Sequence, residues 1–426
     1  MFLKSLSFVL LSAISTISGI ILFPLFIKYL EPVEFGYYSL IVSCTALATL
    51  LSGLGLYNGM SNFYFDFESD ERKKLLNNLF SGSAVLNLIL ASVFAIIIFL
   101  LGIYDFKIST LLSLAIVLGF ADSLNALFFQ FLRNEGKNKR FLVLSTISII
   151  TNLVITSAML FFGWGLWSAV LGKLMVSGVL MVLIALRYIR FEIDQSFLKP
   201  IMKYGVKLVP VLLFGWVFQF SDRFLAEYFL IPQVFGNFGF VISASALIMT
   251  GFLAIGNSIQ PELYFAFKEE NNQQVGKVVR HYILLILAGA FVGLAILWGI
   301  HTYWAGFKYY DSIPALVLYA GGFFLLAFQH LYNMELIYLK KVRVITIYQN
   351  LSYASYSILL FGIFSVGYLD LMYPAYLFFG TRILIMGFYF VGQMKSSKII
   401  FSNKKVLILS QILLVALICL TYFLTV

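Results

Sequence analysis

The chain has 426 residues, 61% of them hydrophobic and 11% charged, with a formal net charge of +10 and a mean hydropathy of +0.96. Soluble globular domains carry roughly 25% charged residues, so this composition excludes one and points to an all-α polytopic membrane protein. Apolar runs near 20 residues recur along the chain, each long enough to cross about 30 Å of hydrocarbon as a helix, and the short alternating segments of a transmembrane barrel are missing.

The first run, "MFLKSLSFVLLSAISTISGIILFPLFI", places Lys4 ahead of apolar residues as a secretory leader does. It continues to about Ile27 with no small-x-small cleavage pattern, so it is expected to be the first span. Further along, the apolar runs predict thirteen spans, at 7–29, 37–64, 79–102, 108–132, 141–163, 165–187, 204–226, 236–264, 281–303, 313–338, 344–367, 371–393 and 405–425. Between the first two lies "FIKYLEPVEFGYYSLIV", where Pro32 breaks a helix and Gly36 permits re-entry, so an outer turn is expected. After span 2, "FDFESDERKK" reads as a solvated inner loop.

An N-terminus on the inside puts the great majority of the 29 basic residues in inner segments, from Arg72–Lys74 to Lys404–Lys405. Only Lys28, Lys107 and Lys308 fall at outer ends, the asymmetry expected of cytoplasmic loops. The net charge is thus assigned to membrane lipids of the inner face, with no nucleic acid as partner. Cys44 and Cys419 lie inside apolar runs, and His281, His301 and His330 share no metal-ligand spacing; no disulfide, metal or cofactor is expected.

A shift of 200 positions reveals an internal repeat. Leu30, Pro32, Phe35, Gly36, Ser43, Ala46 and Leu47 match Leu230, Pro232, Phe235, Gly236, Ser243, Ala246 and Leu247, and Tyr64, Phe65 and Phe67 match Tyr264, Phe265 and Phe267. Six spans separate the copies, an even number, so the halves are expected to be parallel repeats. The predicted division is an N-lobe at 1–195, a C-lobe at 196–395 and an additional span within 396–426.

A basic residue closing span 1, then Leu30, Pro32, Glu34, Phe35, Gly36 and Tyr38, resembles the start of bacterial lipid-linked oligosaccharide flippases of the O-antigen type. These belong to the multidrug/oligosaccharidyl-lipid/polysaccharide exporter superfamily. Leu54, Gly55 and Leu56 in span 2, and Pro210 followed by Ser221, Asp222 and Arg223 in span 7, agree with it. The resemblance implies two six-helix lobes in a V around a central cavity. It also implies a monomer of the bacterial cytoplasmic membrane that moves undecaprenyl-diphosphate-linked glycans outward by alternating access. A polysaccharide polymerase and other assembly components would be its partners. Gly53 and Asn62 depart from the family pattern, which often has Asp and Arg there, and a thirteenth span is unusual.

Charged residues inside spans cost at least about 2.5–3.5 kcal/mol each on insertion scales, so they face a cavity or a partner by default. Lys173 in span 6 and Arg382 in span 12 closely follow glycines and occupy the last helix of each lobe. With Lys28 at the outer mouth, they are the candidate receptors for a diphosphate; the alternative is that they snorkel or pair with acids. Asp122, at the middle of span 4, is a candidate for ion coupling or for a salt bridge between helices. Asp222 and Arg223, neighbours on different azimuths of span 7 that are not assumed to pair with each other, are further candidates for ion coupling or for pairing between helices. Asn58, Asn62, Asn125, Gln219 and Asn257 are candidates for sugar contacts, with interhelical hydrogen bonding the commoner fate.

Two other functions compete with flipping. A cationic-drug exporter of the same superfamily would favour acids in its cavity. A membrane-embedded polymerase or glycosyltransferase would need a large outer loop or a catalytic acidic cluster, and the sequence has neither, so no enzyme is expected.

Overall fold

The computed structural model describes residues 18–19, 21–52, 60, 64–68, 71–304, 306–394 and 397–426. Their regular structure is helical throughout, with no strand among them. We label the helices α1 (21–29), α2 (Pro32–Leu51), α3 (Glu71–Leu101), α4 (Phe106–Asn134), α5 (Asn138–Phe161), α6 (Leu166–Tyr188) and α7 (Gln195–Phe229). There follow α8 (Pro232–Lys268), α9 (Asn272–Tyr303), α10 (Ile313–Tyr338), α11 (Val342–Ser365), α12 (Met372–Gln393) and α13 (Lys398–Phe423). Among the described residues, 10 helices are long and apolar enough to cross a membrane. The protein is therefore a multi-pass helical membrane protein; any spans beyond those ten rest on the apolar runs of the sequence.

Contacts divide the chain into two compact units, Met1–Phe220 and Ser221–Val426, with the division inside α7. In the first unit α4 is the central helix and packs on α2, α3, α5 and α6. In the second, α10 takes that part and packs on α8, α9, α11, α12 and α13. The apolar window of α10 is 83% buried and that of α4 72%, against 6% for α3, which leaves α3 facing lipid. The order of packing repeats as well: α2 on α4 on α6, then α8 on α10 on α12.

Local geometry carries the same repeat. Proline opens both α2 and α8, where the missing N–H is one a helix leaves unbonded anyway. The amides of Leu30 and Leu230 each bond four residues back, to Phe26 and Ala226, both at 2.9 Å. Phe35 and Phe235, 0% and 2% exposed, anchor the two turns. The turns after the central helices match too: Gly136 and Lys340 both have positive φ, +73° and +58°. In each, the next amide reaches back five residues, Lys137 to Leu132 at 2.9 Å and Lys341 to Leu336 at 2.8 Å. Glycine meets that left-handed requirement freely in the first unit, and a lysine bears its cost in the second.

The outer turn between α1 and α2 is a capped turn. The Glu34 carboxylate accepts from the Glu31 amide at 3.2 Å as half of a capping box and pairs with Lys107 at 3.5 Å. The segment joining α6 to α7 is tied to α3, because the Asn77 side chain accepts from the Arg190 amide at 3.3 Å and Asn78 from that of Asp194. Donors from Ser196 hold the Asp194 carboxyl below the usual carboxylate range.

The last helix belongs to the second unit. It packs on α9 and α10, and its first turn is capped by Glu335 of α10, which accepts from Ser397 Oγ and from the Lys398 amide at 2.6 Å. Glu335 is 4% exposed, a buried carboxylate that donors of α13 satisfy. Asn403, with φ −136°, kinks α13 just beyond that cap.

Candidate functional site

Two glycine crossings set the site in the first unit. A side chain on Gly119 of α4 would lie 2.4 Å from the Thr45 carbonyl and 2.6 Å from Ala48 Cβ, so α2 and α4 touch there. On α6, a Cβ at Gly172 would lie 2.4 Å from Thr156 Oγ1, so α5 and α6 touch as well. Asp122 follows the first crossing by three residues and Lys173 follows the second directly. Both residues then lie where α4 packs on α6.

There the two charges meet. Lys173 Nζ lies 2.7 Å from Asp122 Oδ2, and Ser177 donates its hydroxyl to Asp122 Oδ1 at 2.6 Å. Asn125, one turn along α4 from Asp122, donates Nδ2 to the Ser177 carbonyl at 2.9 Å. Both oxygens of the carboxylate are thus occupied, one by a charge and one by a neutral donor. A chain of smaller polar groups continues behind Asp122: Asn87 donates to Ser52 Oγ at 2.8 Å, and Ser52 bonds Ser123.

Two cavities flank the pair. One, of about 370 Å³, is lined by residues of α1, α4, α5 and α6, including Ser18, Asn125, Ser148 and Asn152. The other, of about 510 Å³, lies against α2 and is lined by Tyr38, Thr45 and Thr49. Asp122 and Lys173 line both. Lys173 keeps 46% of its side chain exposed and Asp122 24%, so the ammonium is the accessible partner. A compact oxyanion, or a hydroxyl-bearing group, fits the chemistry of these walls.

The second unit holds its charges differently. Arg382 is 2% exposed, with its guanidinium 4.4 Å from the Tyr353 ring centre and 4.7 Å from that of Phe378. Phe378 also stacks on Tyr319 at 4.6 Å, and the Tyr319 and Tyr356 hydroxyls share a 2.6 Å hydrogen bond. Asp222 lies within electrostatic reach of Arg382. Its neighbour Arg223 reaches back to it, Nη1 to Oδ1 at 2.9 Å, with the two side chains 12% and 7% exposed. Different azimuths on α7 therefore do not keep this pair apart, because a long arginine stem can curl along the helix. Gly322 of α10, not the Gly380 that precedes Arg382 in sequence, provides the tight crossing beside it: a Cβ there would lie 2.5 Å from Phe378 Cε1.

A family model described as polysaccharide biosynthesis protein matches residues 2–263, the whole of the first unit and the start of the second. The chain belongs to the polysaccharide biosynthesis protein family. Solved structures add the fold. A lipid II flippase, MurJ, in an inward closed conformation superposes over 100% of this chain and 98% of its own, with a TM-score of 0.72 at 13% identity. An inward-facing multidrug resistance MATE transporter of the MOP superfamily follows over 96% and 94%, with a TM-score of 0.65 at 16% identity. A MOP superfamily transporter from Pyrococcus furiosus, described as having a binding pocket of reversed polarity, aligns over 92% and 96%, with a TM-score of 0.53 at 15% identity. No curated protein matches this sequence. The fold expected from a few short motifs is thus the one that a lipid II flippase and MATE transporters share.

Of the residues singled out in the sequence, Lys173, Asp122 and Asn125 come together. Arg382, Asp222 and Arg223 form a separate, buried group in the second unit. Lys28 is exposed at the end of α1, its ammonium 5.2 Å from the Tyr29 ring centre. Gln219 is exposed on α7, while Asn58, Asn62 and the side chain of Asn257 lie outside the described residues. Ser177 was missed. Its spacing was the available signal, since four residues from Lys173 on a helix places both on one face.

Proposed function

We propose that the protein flips undecaprenyl-diphosphate-linked oligosaccharide repeat units from the cytoplasmic to the outer leaflet by alternating access of its two halves. The observation that carries this reading is Lys173, an ammonium inside the apolar span of α6 that opens onto two cavities in a chain of the polysaccharide biosynthesis family. A lipid-linked diphosphate is a compact anion that must cross hydrocarbon, and an intramembrane cation offsets the cost of removing it from water. Lys173 makes the direct contact in the first unit, and Arg382 is the corresponding cation of the second, held rigid by Tyr353 and Phe378. Lys28 attracts the headgroup at the outer end of α1. Asn125 and Gln219, with Asn58, Asn62 and Asn257, supply hydroxyl partners for the glycan.

The protein works in the bacterial cytoplasmic membrane with its N-terminus inside, in the halves 1–195 and 196–395 followed by the added helix, as a monomer beside a polysaccharide polymerase. Export of a cationic drug is the weaker reading, because the intramembrane carboxylate such a drug would seek, Asp122, is already neutralised by Lys173 at 2.7 Å.

Cells that depend on the protein for surface glycan test this directly. Lys173→Gln combined with Arg382→Gln should abolish export of a defined lipid-linked glycan, read per molecule of folded protein because loss of the buried Arg382 charge also lowers abundance. Full export by that variant would overturn the assignment.

A further inference from the structure

The occupied carboxylate next to Lys173 has a consequence for selectivity, and it rests on the lipid-diphosphate reading above. We infer that Asp122 is an internal counter-ion that the substrate's diphosphate displaces, so that Lys173 is passed from carboxylate to phosphate and only an anionic headgroup can open the pair.

Three features of the site support the exchange. Asp122 retains a partner when the lysine leaves, since Ser177 Oγ holds its other oxygen at 2.6 Å. Lys173 has somewhere to go: its side chain is nearly half exposed and borders cavities of about 370 and 510 Å³. The two partners also differ in stiffness. Asp122 is a short side chain, pinned where Gly119 presses α4 onto α2, while lysine carries its charge on a flexible four-carbon stem.

Physical chemistry then sets the direction. A neutral ligand offers the ammonium no replacement charge and a cationic one repels it, so neither gains by breaking the pair. An oxyanion replaces the carboxylate in kind, with two oxygens or more in reach of the same ammonium. No bond is made or broken, and no proton moves. Asp122 therefore weakens the binding of anions alone, since other ligands leave the pair closed, and it sets how strong an anionic headgroup must be to open the pair.

The test uses the purified full-length protein in lipid nanodiscs and calorimetric titration with farnesyl diphosphate, inorganic pyrophosphate and farnesol. Asp122→Asn should bind farnesyl diphosphate about tenfold more tightly, the change that about 1.4 kcal/mol of lost competition produces. Lys173→Gln should bind it at least about tenfold more weakly, and the double variant should stay weaker than wild type, regaining at most the repulsion that the unpaired Asp122 carboxylate exerts on the anion. Asp122→Glu keeps the charge and should return wild-type affinity. Should Asp122→Asn fail to fold, Asp122→Ser makes the same comparison.

A gain with both diphosphates supports exchange driven by the headgroup alone; a gain with farnesyl diphosphate only supports exchange with a lipid-borne anion. A comparable gain with farnesol overturns the inference, because a neutral ligand would then be opening the pair. Equal or weaker diphosphate binding by Asp122→Asn, while Lys173→Gln still loses affinity, also overturns the exchange and leaves Lys173 standing as the diphosphate ligand. Wild-type binding by Lys173→Gln would instead remove the diphosphate site itself.

Discussion

Ser177 donates its hydroxyl to Asp122 at 2.6 Å, one helical turn beyond the lysine that holds the same carboxylate. That single serine ties α6 to α4 twice, since its carbonyl also accepts from Asn125 at 2.9 Å. Only the first of these bonds needs the side chain. Ser177→Ala should therefore lower stability by about 1 kcal/mol, the worth of one such hydrogen bond, and leave the fold intact. Thermal unfolding in detergent measures the change. A loss several times larger would mean the hydroxyl supports more than Asp122.

The crossing at Gly119 is far less tolerant. A Cβ there would sit 2.4 Å from the Thr45 carbonyl, a backbone atom that cannot move without shifting α2. Gly119→Ala should destabilise the first unit by roughly 1–3 kcal/mol or force α2 and α4 apart, and export should fall with it. Gly178 on α6 provides the control, since nothing lies within 4 Å of the site its Cβ would take. Gly178→Ala should keep export and keep or slightly raise stability, since alanine is the better helix former, and parallel losses in the two variants would show that crowding at Gly119 is not the cause.

In the second unit, Asp222 pairs with Arg223 at 2.9 Å and lies within electrostatic reach of Arg382. Breaking a buried ion pair by removing one member typically costs about 3–5 kcal/mol, because the remaining charge keeps its desolvation penalty. Asp222→Asn should accordingly reduce the level of folded protein sharply, with Asp222→Asn/Arg382→Gln recovering part of it. Steady-state abundance and unfolding temperature report both. Unchanged abundance of the single variant would show that the guanidinium groups are held chiefly by the surrounding rings.

Glu335 makes a local prediction. Its carboxylate caps α13 through Ser397 and the Lys398 amide, so Glu335→Ala should loosen the start of that helix without touching the first unit. Loss of a helix cap costs roughly 0.5–2 kcal/mol. Faster amide hydrogen exchange confined to about 397–403, with exchange in α4 and α6 unchanged, is the expected signature. Uniformly faster exchange along the chain would make Glu335 a global element of stability.

Much of this molecule was legible in its residues. Apolar runs near 20 residues dictate helices because backbone polar groups have no other partner in hydrocarbon. Pro32 and Pro232 mark where two of them begin, and the 200-residue repeat appears again in the packing order of the two units. The spacing of Lys173 and Ser177, or of Asp122 and Asn125, likewise places each pair on one helical face.

Which faces meet is another matter. A soluble helix shows its buried side by contrast between apolar and polar stripes, but a span between lipid and protein is apolar nearly all round, so periodicity carries little information about its neighbours. Lys173 found Asp122 where α6 packs on α4, and Arg382 found two aromatic rings beside the close contact of Gly322 with Phe378. The chain's own pattern determined that it crosses the membrane and where each helix starts; the packing of helix on helix decided which charges share a site.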